Sequence, residues 1–263
     1  MKPWIDPGAE LALPEGIRAC ATTREGGVSA APFDSLNLAI GEGQQGDALD
    51  RVRENRRRLM AALGVDGIAF LRQVHGRTVA RIDAPPAPEV PPPEADAAVT
   101  SLPGVAVAVL TADCLPVLFA AEDGARVGAA HAGWRGLAAG VLEATLEALE
   151  RPAGQITAWL GPAIGPDAFE VGPEVREAFL EVRGTRASVD RVRDAFTPGR
   201  GDRWQADLWA LARLRLEAAG VERIGGGGRC VHREAARFFS FRRDRGRTGR
   251  QASLIWINPR RRS

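Results

Sequence analysis

Residues 102–121, LPGVAVAVLTADCLPVLFAA, form the longest apolar run in the chain, and Pro103, Asp113 and Pro116 interrupt it. A helix that crosses a membrane needs about 20 mostly apolar residues without buried charge, so these three residues argue against a span. The run divides instead into two valine-rich pieces of strand length, 105–110 and 116–120, flanking a turn at Ala112, Asp113 and Cys114. Apolar segments this short and this rich in β-branched residues read as buried strands.

Helix and strand signals alternate along the rest of the chain without a repeated unit. Residues 47–63 read as a helix: Val52, Leu59, Met60 and Leu63 fall near one face, Asp47 or Asp50 can cap the start, and Gly64 can end it. Its other face is rich in arginine. Residues 68–82 are strand-like and run into a loop at 84–94, where six prolines between Pro85 and Pro93 rule out regular structure. Further strands are expected at 127–130, 156–160 and 253–257, with helices at 136–150 and 208–219. The class is α/β in the broad sense (α+β). The length of 263 residues lies near the size where single cores stop growing, which favours one domain over 1–263. The glycine run at 225–228 lacks the Lys-Ser/Thr of a P-loop and the spacing of a dinucleotide fingerprint, so it reads as a flexible loop.

The 35 Lys plus Arg are nearly matched by 33 Asp plus Glu, so no general affinity for nucleic acid follows. The basic excess is local, at 51–58, 242–250 and the C-terminal tail 259–263, where solvated helix or terminus is the plain reading. The opening MKPWIDPGAE lacks the apolar stretch of an export signal, and three cysteines are too few and odd in number for a disulfide framework. These observations predict a cytoplasmic protein with no membrane segment.

Three short segments concentrate the chemistry: LRQVHG at 71–76, LTADCLPV at 110–117 and AAHAGWRG at 129–136. Each sets one metal-ligand type, His75, Cys114 or His131, beside small or turn-forming residues at the end of an apolar stretch. Catalytic zinc commonly takes three protein ligands and keeps a fourth position open, and imidazole and thiolate are among its preferred donors. The chain has three histidines in all, and two of them lie in these segments. The third, His232, follows Cys230 by two residues and is the competing ligand pair. Asp113, beside Cys114, could orient a ligand imidazole or carry a proton, because ligating histidines usually donate their second N–H to a carboxylate. It could equally cap a turn.

The same segments, together with ADAAVTSLPGVAVAVLTADCLPVLF, AWLGPAIG, FFSFRRDRGRTGRQASLIWI and the opening TTREGGVSAAPFDSLNLAIGEGQQGD, resemble a bacterial family. It is variously labelled polyphenol oxidase, laccase-domain protein or multicopper oxidoreductase, and its members are now regarded as purine nucleoside phosphorylases. The resemblance covers about Ala21 to Ile257. It implies a single layered domain with mixed β-sheets and helices outside, similar to cysteine-hydrolase-like folds, and a zinc ion on His75, Cys114 and His131. The implied activities are phosphorolysis of adenosine, inosine, guanosine and S-methyl-5′-thioadenosine, and deamination of adenosine, in a monomer or small homo-oligomer. Asn37 in SLNLA resembles a family position near the substrate. The run GGGGRC is longer than the family pattern.

A multicopper laccase needs about ten histidines for its four coppers, and three cannot build that set. A single copper in the His-Cys-His site, with an incidental polyphenol oxidase (laccase) activity, is the alternative metal reading. Zinc would favour deamination by lowering the pKa of water it holds toward about 7. Phosphorolysis needs in addition a cationic cradle for phosphate, and Arg56, Arg135 and Arg243 are the candidates because a guanidinium pairs with two phosphate oxygens at once. Two alternatives stand beside this reading. One is a metal-free cysteine hydrolase with Cys114 as nucleophile and His131 or His75 as base, acting in the editing of peptidoglycan precursors, to which related bacterial proteins have been linked. The other is a structural zinc site closed by a fourth ligand from Cys230 or His232.

Overall fold

A computed structural model describes residues 4–40, 46–87, 89–181 and 186–259. Two large sheets lie face to face with helices on both outer sides. The first has the order β1 (Trp4–Ile5), β2 (Ile17–Thr22), β14 (Gln251–Ile257), β6 (Val105–Thr111), β3 (Gly67–Ala69), antiparallel except for β6 and β3. The second runs β13 (Arg223–Gly226), β9 (Ile156–Leu160), β7 (Leu115–Ala121), β8 (Val127–Ala132), β5 (Ala97–Thr100), β4 (Val79–Ile82), with parallel pairs at both edges. A small antiparallel sheet of β10 (Glu170–Val171), β12 (Trp204–Ala206) and β11 (Phe196–Pro198) packs beside them.

The period of two along each strand sorts the core into layers. Val107 and Val109 of β6 and Ile255 of β14 face Leu118 and Ala120 of β7 and Val127 and Ala129 of β8, forming the space between the sheets. The alternate residues Ala106, Ala108, Leu254 and Trp256 turn outward onto Leu59 of α1 (Leu49–Leu63). On the far side Val117, Phe119, Ala130 and Leu160 pack with α2 (Trp134–Ala139), α3 (Val141–Ala148) and α6 (Leu208–Ala218). The remaining helices are α4 (Pro173–Leu180) and α5 (Arg186–Asp194). Among the described residues no helix is long and apolar enough to cross a membrane.

Several expectations are corrected. The helix expected over 136–150 is two helices, because Gly140 adopts φ +95° and a left-handed residue cannot continue a right-handed helix. The strand-like stretch 68–82 divides into β3 and β4, which belong to different sheets. Ala48 occupies the N-cap of α1 without a side-chain bond, while Asp47 accepts from Ser29 and Asn37. Gly64 ends the helix as expected, with φ 66°. Among the described residues of the Pro-rich loop, Glu94 bridges to Arg72 and Val90 is exposed. Of the basic tail at 259–263, residues 260–263 lie outside the described residues.

Half of the glycine run is strand, not loop: Gly225 and Gly226 pair with Trp159 and Leu160. A Cβ on Gly226, at φ +75°, would stand 2.3 Å from the Leu160 carbonyl oxygen and 2.7 Å from Trp159 Nε1. Gly226→Ala is therefore expected to cost about 2–3 kcal/mol, read as a lowered midpoint of thermal unfolding. An unchanged midpoint would show that this sheet edge yields freely.

Candidate metal centre

His75, Cys114 and His131 meet at one end of the sandwich. The segment 70–78 passes from β3 in the first sheet to β4 in the second, and 112–114 passes from β6 to β7 in the same sense. His131 lies on β8, opposite Pro116 of β7. The ligand atoms of the three side chains all lie within 4.8 Å of one another, with Cys114 Sγ 3.9 Å from His75 Nε2. The imidazole rings meet edge to face at 4.9 Å. Donors to one tetrahedral zinc stand about 3.5 Å apart, so the cluster is close to that spacing.

The small residues around the ligands permit this approach. A Cβ on Gly133 would stand 3.0 Å from Cys114 Sγ and 3.1 Å from His75 Cδ2, and one on Gly136 would stand 2.7 Å from the Gly76 carbonyl oxygen. His75 and Asp113 hold positive φ, 62° and 109°, which L-residues seldom adopt. Such conformations persist where surrounding bonds fix them.

For His75 the fixing group is Asp96, fully buried immediately before β5. Its carboxylate accepts from the backbone N–H of Val74 (3.2 Å), His75 (2.9 Å) and Gly76 (2.7 Å). The same carboxylate lies 2.8 Å from His131 Nδ1, and the Asp96 carbonyl accepts from the His131 N–H at 2.7 Å. One side chain thus orients both histidines and directs His131 Nε2 toward the cluster.

Electrostatics favours a thiolate. Burial pushes the Cys114 thiol up, but the charge of His131 and hydrogen bonds from both imidazoles outweigh it and bring it to about 6. Burial pushes His131 down, yet the Cys114 charge and Asp96 raise it to about 9. A metal would replace the imidazolium proton as the partner of the thiolate.

Among the described residues no fourth metal-ligand side chain joins the trio. Cys230 is buried, and its Sγ accepts from the Gly165 N–H at 3.2 Å. A metal held by this trio would keep an open position, as in catalytic sites, because no fourth protein ligand is present among the described residues.

The remaining expected site residues fall in different places. Asp113 does not orient an imidazole: it accepts from Ser240 Oγ and the Arg242 N–H, both at 2.6 Å, and ties the cysteine turn to the C-terminal loop. Asn37 is buried and braces its own loop, bonding Ala39, Asp47 and the Arg250 N–H. Arg56 lies over the Phe70 ring at 3.8 Å and donates to the Leu38 carbonyl. Arg243 donates to the carbonyls of Val231 and Phe238 and pairs with Asp244. Arg135 is exposed on Trp134. Sequence reasoning missed Asp96, although it is the second residue of the motif ADAAV, and it missed Arg250, which sits within electrostatic reach of Cys114 and Asp113.

Residues 18–258 match the family described as multi-copper polyphenol oxidoreductase laccase. The chain is 50% identical over 258 residues to a purine nucleoside phosphorylase of Pseudomonas aeruginosa, covering 98% of this chain and 99% of that one. It is 50% identical to purine nucleoside phosphorylase YfiH of Escherichia coli, covering 93% and 95%. A crystal structure of a Neisseria meningitidis protein superposes with TM-score 0.85 at 42% identity, covering 98% of this chain and all of that one. YlmD from Geobacillus stearothermophilus gives 0.82 at 32%, covering 98% and 97%.

Proposed function

The chain belongs to the multi-copper polyphenol oxidoreductase laccase family, and from that premise we propose that it is a zinc-dependent purine nucleoside phosphorylase that also deaminates adenosine. The observation that carries this reading is the convergence of His75, Cys114 and His131 into an open three-ligand site. Its support is the likeness over nearly the whole chain to proteins named purine nucleoside phosphorylases. The site draws on both sheets, so the reading treats the chain as one catalytic unit. Adenosine, inosine, guanosine and S-methyl-5′-thioadenosine are the proposed substrates. The residues fit zinc: two imidazoles, a thiol already biased toward thiolate, and a carboxylate behind one imidazole. When bound, the ion would supply Lewis acidity and lower the proton affinity of water. Copper at the same ligands would be a substitution of metal, not a laccase cluster.

The chain's own groups have plain tasks in this scheme. Asp96 fixes the His131 tautomer and holds the 74–76 turn, while Gly133 keeps the approach to Cys114 clear. The reading is checked by the metal content of protein purified without added metal, together with chromatography of adenosine incubated with and without phosphate. Near-stoichiometric zinc, adenine formed only with phosphate, and inosine formed in either case are the expected results. Metal-free protein with full turnover would overturn it.

One geometric observation favours a second reading. Asp96, His131 and Cys114 stand in the order carboxylate, imidazole, thiol, which suits nucleophilic catalysis by a cysteine and hydrolysis of a peptidoglycan precursor. Alkylation separates the two. A metal-held thiolate reacts slowly until a chelator strips the ion, whereas a free catalytic thiolate reacts fast from the outset.

A further inference from the structure

Phosphorolysis requires a cation for the phosphate, and of the arginines expected from the sequence Arg135 stands exposed on the Trp134 ring while the other two are engaged within the fold. Arg243 uses all three guanidinium nitrogens on the Val231 and Phe238 carbonyls and the Asp244 carboxylate, and Arg56 gives its Nε to the Leu38 carbonyl, so neither keeps the Nε–Nη2 edge free. We propose that Arg250 is the phosphate-binding residue of this site, holding the attacking oxyanion beside Cys114 and the two histidines. The inference rests on the phosphorolytic reading above for its chemistry, but its anion subsite can be tested separately.

The placement comes from strand register. β14 pairs antiparallel with β6, and the last matched pair is Gln251 with Thr111. One residue further, Arg250 lies alongside the exit of β6, where the chain turns through Ala112 and Asp113 to Cys114. A second contact fixes the same neighbourhood: the Arg250 guanidinium lies 5.4 Å from the Phe241 ring, and the Phe241 N–H points to the Ala112 carbonyl.

The guanidinium is held without being neutralised. Its Nη1 donates to the carbonyls of Thr248 and Gly249, both at 3.0 Å, and its backbone N–H donates to Asn37 Oδ1 at 2.9 Å. Among the described residues it has no carboxylate at ion-pair distance, and Nε and Nη2 have no hydrogen-bond partner. The nearby carboxylate, Asp113, is engaged by Ser240 and Arg242. Burial lowers the Arg250 pKa, while the charges of Cys114 and Asp113 act in the opposite direction. A half-buried guanidinium with two free donors on one side suits bidentate pairing with a phosphate. Gly249 helps set this geometry, since a Cβ there would stand 2.8 Å from the Phe239 ring.

In the reaction, an oxygen of hydrogen phosphate supplies the electron pair of the new bond to C1′ of the ribose. The C1′–N9 bond breaks with its pair staying on the purine. The proton carried by hydrogen phosphate ends on the purine, so charge and atoms balance. Arg250 orients the attacking phosphate and leaves the departing base to other groups.

The experiment uses full-length Arg250→Gln and Arg250→Lys, with zinc content and circular dichroism as controls for site and fold. Two readouts are taken: KM for phosphate against KM for nucleoside, and the rise in unfolding temperature produced by inorganic phosphate alone. Loss of a charged bidentate pair is expected to raise the phosphate KM of Arg250→Gln about 30- to 100-fold, to change the nucleoside KM less than about threefold, and to abolish the phosphate-induced rise. If Arg250→Gln does not fold, Arg250→Lys, which cannot fork, is expected to raise the phosphate KM about tenfold. An unchanged phosphate KM and an undiminished phosphate-induced rise in a folded variant would overturn the assignment. If the wild type is stabilised by phosphate but forms no free base, and Arg250→Gln abolishes the stabilisation, the anion subsite stands and the phosphorolytic reading fails.

Discussion

Cys114→Ala is expected to give a folded protein that holds less than about a tenth of the wild-type zinc and turns over adenosine at least about a thousandfold more slowly. The substitution removes the one anionic ligand of the trio and leaves two imidazoles, one of which, His131, owes its raised pKa partly to the Cys114 charge. Two neutral donors bind zinc far more weakly than a set that includes a thiolate. Stability should change by no more than about 2 kcal/mol, because the removed group is one sulfur on a half-buried turn. Metal analysis and product chromatography on the same sample decide the matter. Full turnover of adenosine by the zinc-free variant would end the metal-dependent reading.

The second large effect is expected at Asp96. Removing its buried carboxylate in Asp96→Ala strips the partner from three part-buried backbone N–H groups of the 74–76 turn and from the buried His131 Nδ1 at once. The buried His131 donor left unpaired costs about 1–3 kcal/mol, and the three turn donors, which are only part-buried, add less because water can reach them, so a total near 2–4 kcal/mol is expected, with a fall of about 5–10 °C in unfolding temperature. Asp96→Asn keeps the shape but turns an NH2 toward donors, and it should weaken metal binding about 10- to 100-fold with a smaller loss of stability. Acid titration gives an independent check. Burial raises the Asp96 pKa, but its hydrogen bonds outweigh burial and hold it below the ordinary value. The stability it contributes is complete above the unfolded aspartate range and is lost as pH falls through the folded value. The apo form of Asp96→Ala should therefore start lower and show a shallower decline in acid. An acid profile parallel to that of the wild type would contradict this account.

The elements legible in the sequence are those whose signal is local. β6, β7 and β8 stand out because each is an unbroken apolar stretch, and Gly64 marks the end of α1 because a left-handed cap suits glycine. His75, Cys114 and His131 stand out because ligand types are scarce in this chain and small residues surround them. The rest depended on tertiary context. Leu137, Val141, Leu142 and Leu146 keep helical spacing across Gly140, so the break between α2 and α3 is invisible to periodicity. Asp96 sits 21 residues from His75 and 35 from His131, and only the packing of the two sheets brings them together. Arg250 belongs to a basic run that reads as solvated, and what distinguishes it from Arg243 is that Arg243 is neutralised by Asp244 while Arg250 uses only Nη1, on backbone carbonyls. The glycine run misled for a related reason: the demand for glycine at 226 comes from Leu160 and Trp159, far away in the chain.

The two segments that carry His75 and Cys114 each bridge one sheet to the other. The separation between their ligand atoms is therefore a gauge of how the two halves of the sandwich are aligned. An ion gripped by all three side chains would act as a rivet through the layers, so that slippage of the sheets and escape of the ion become one event.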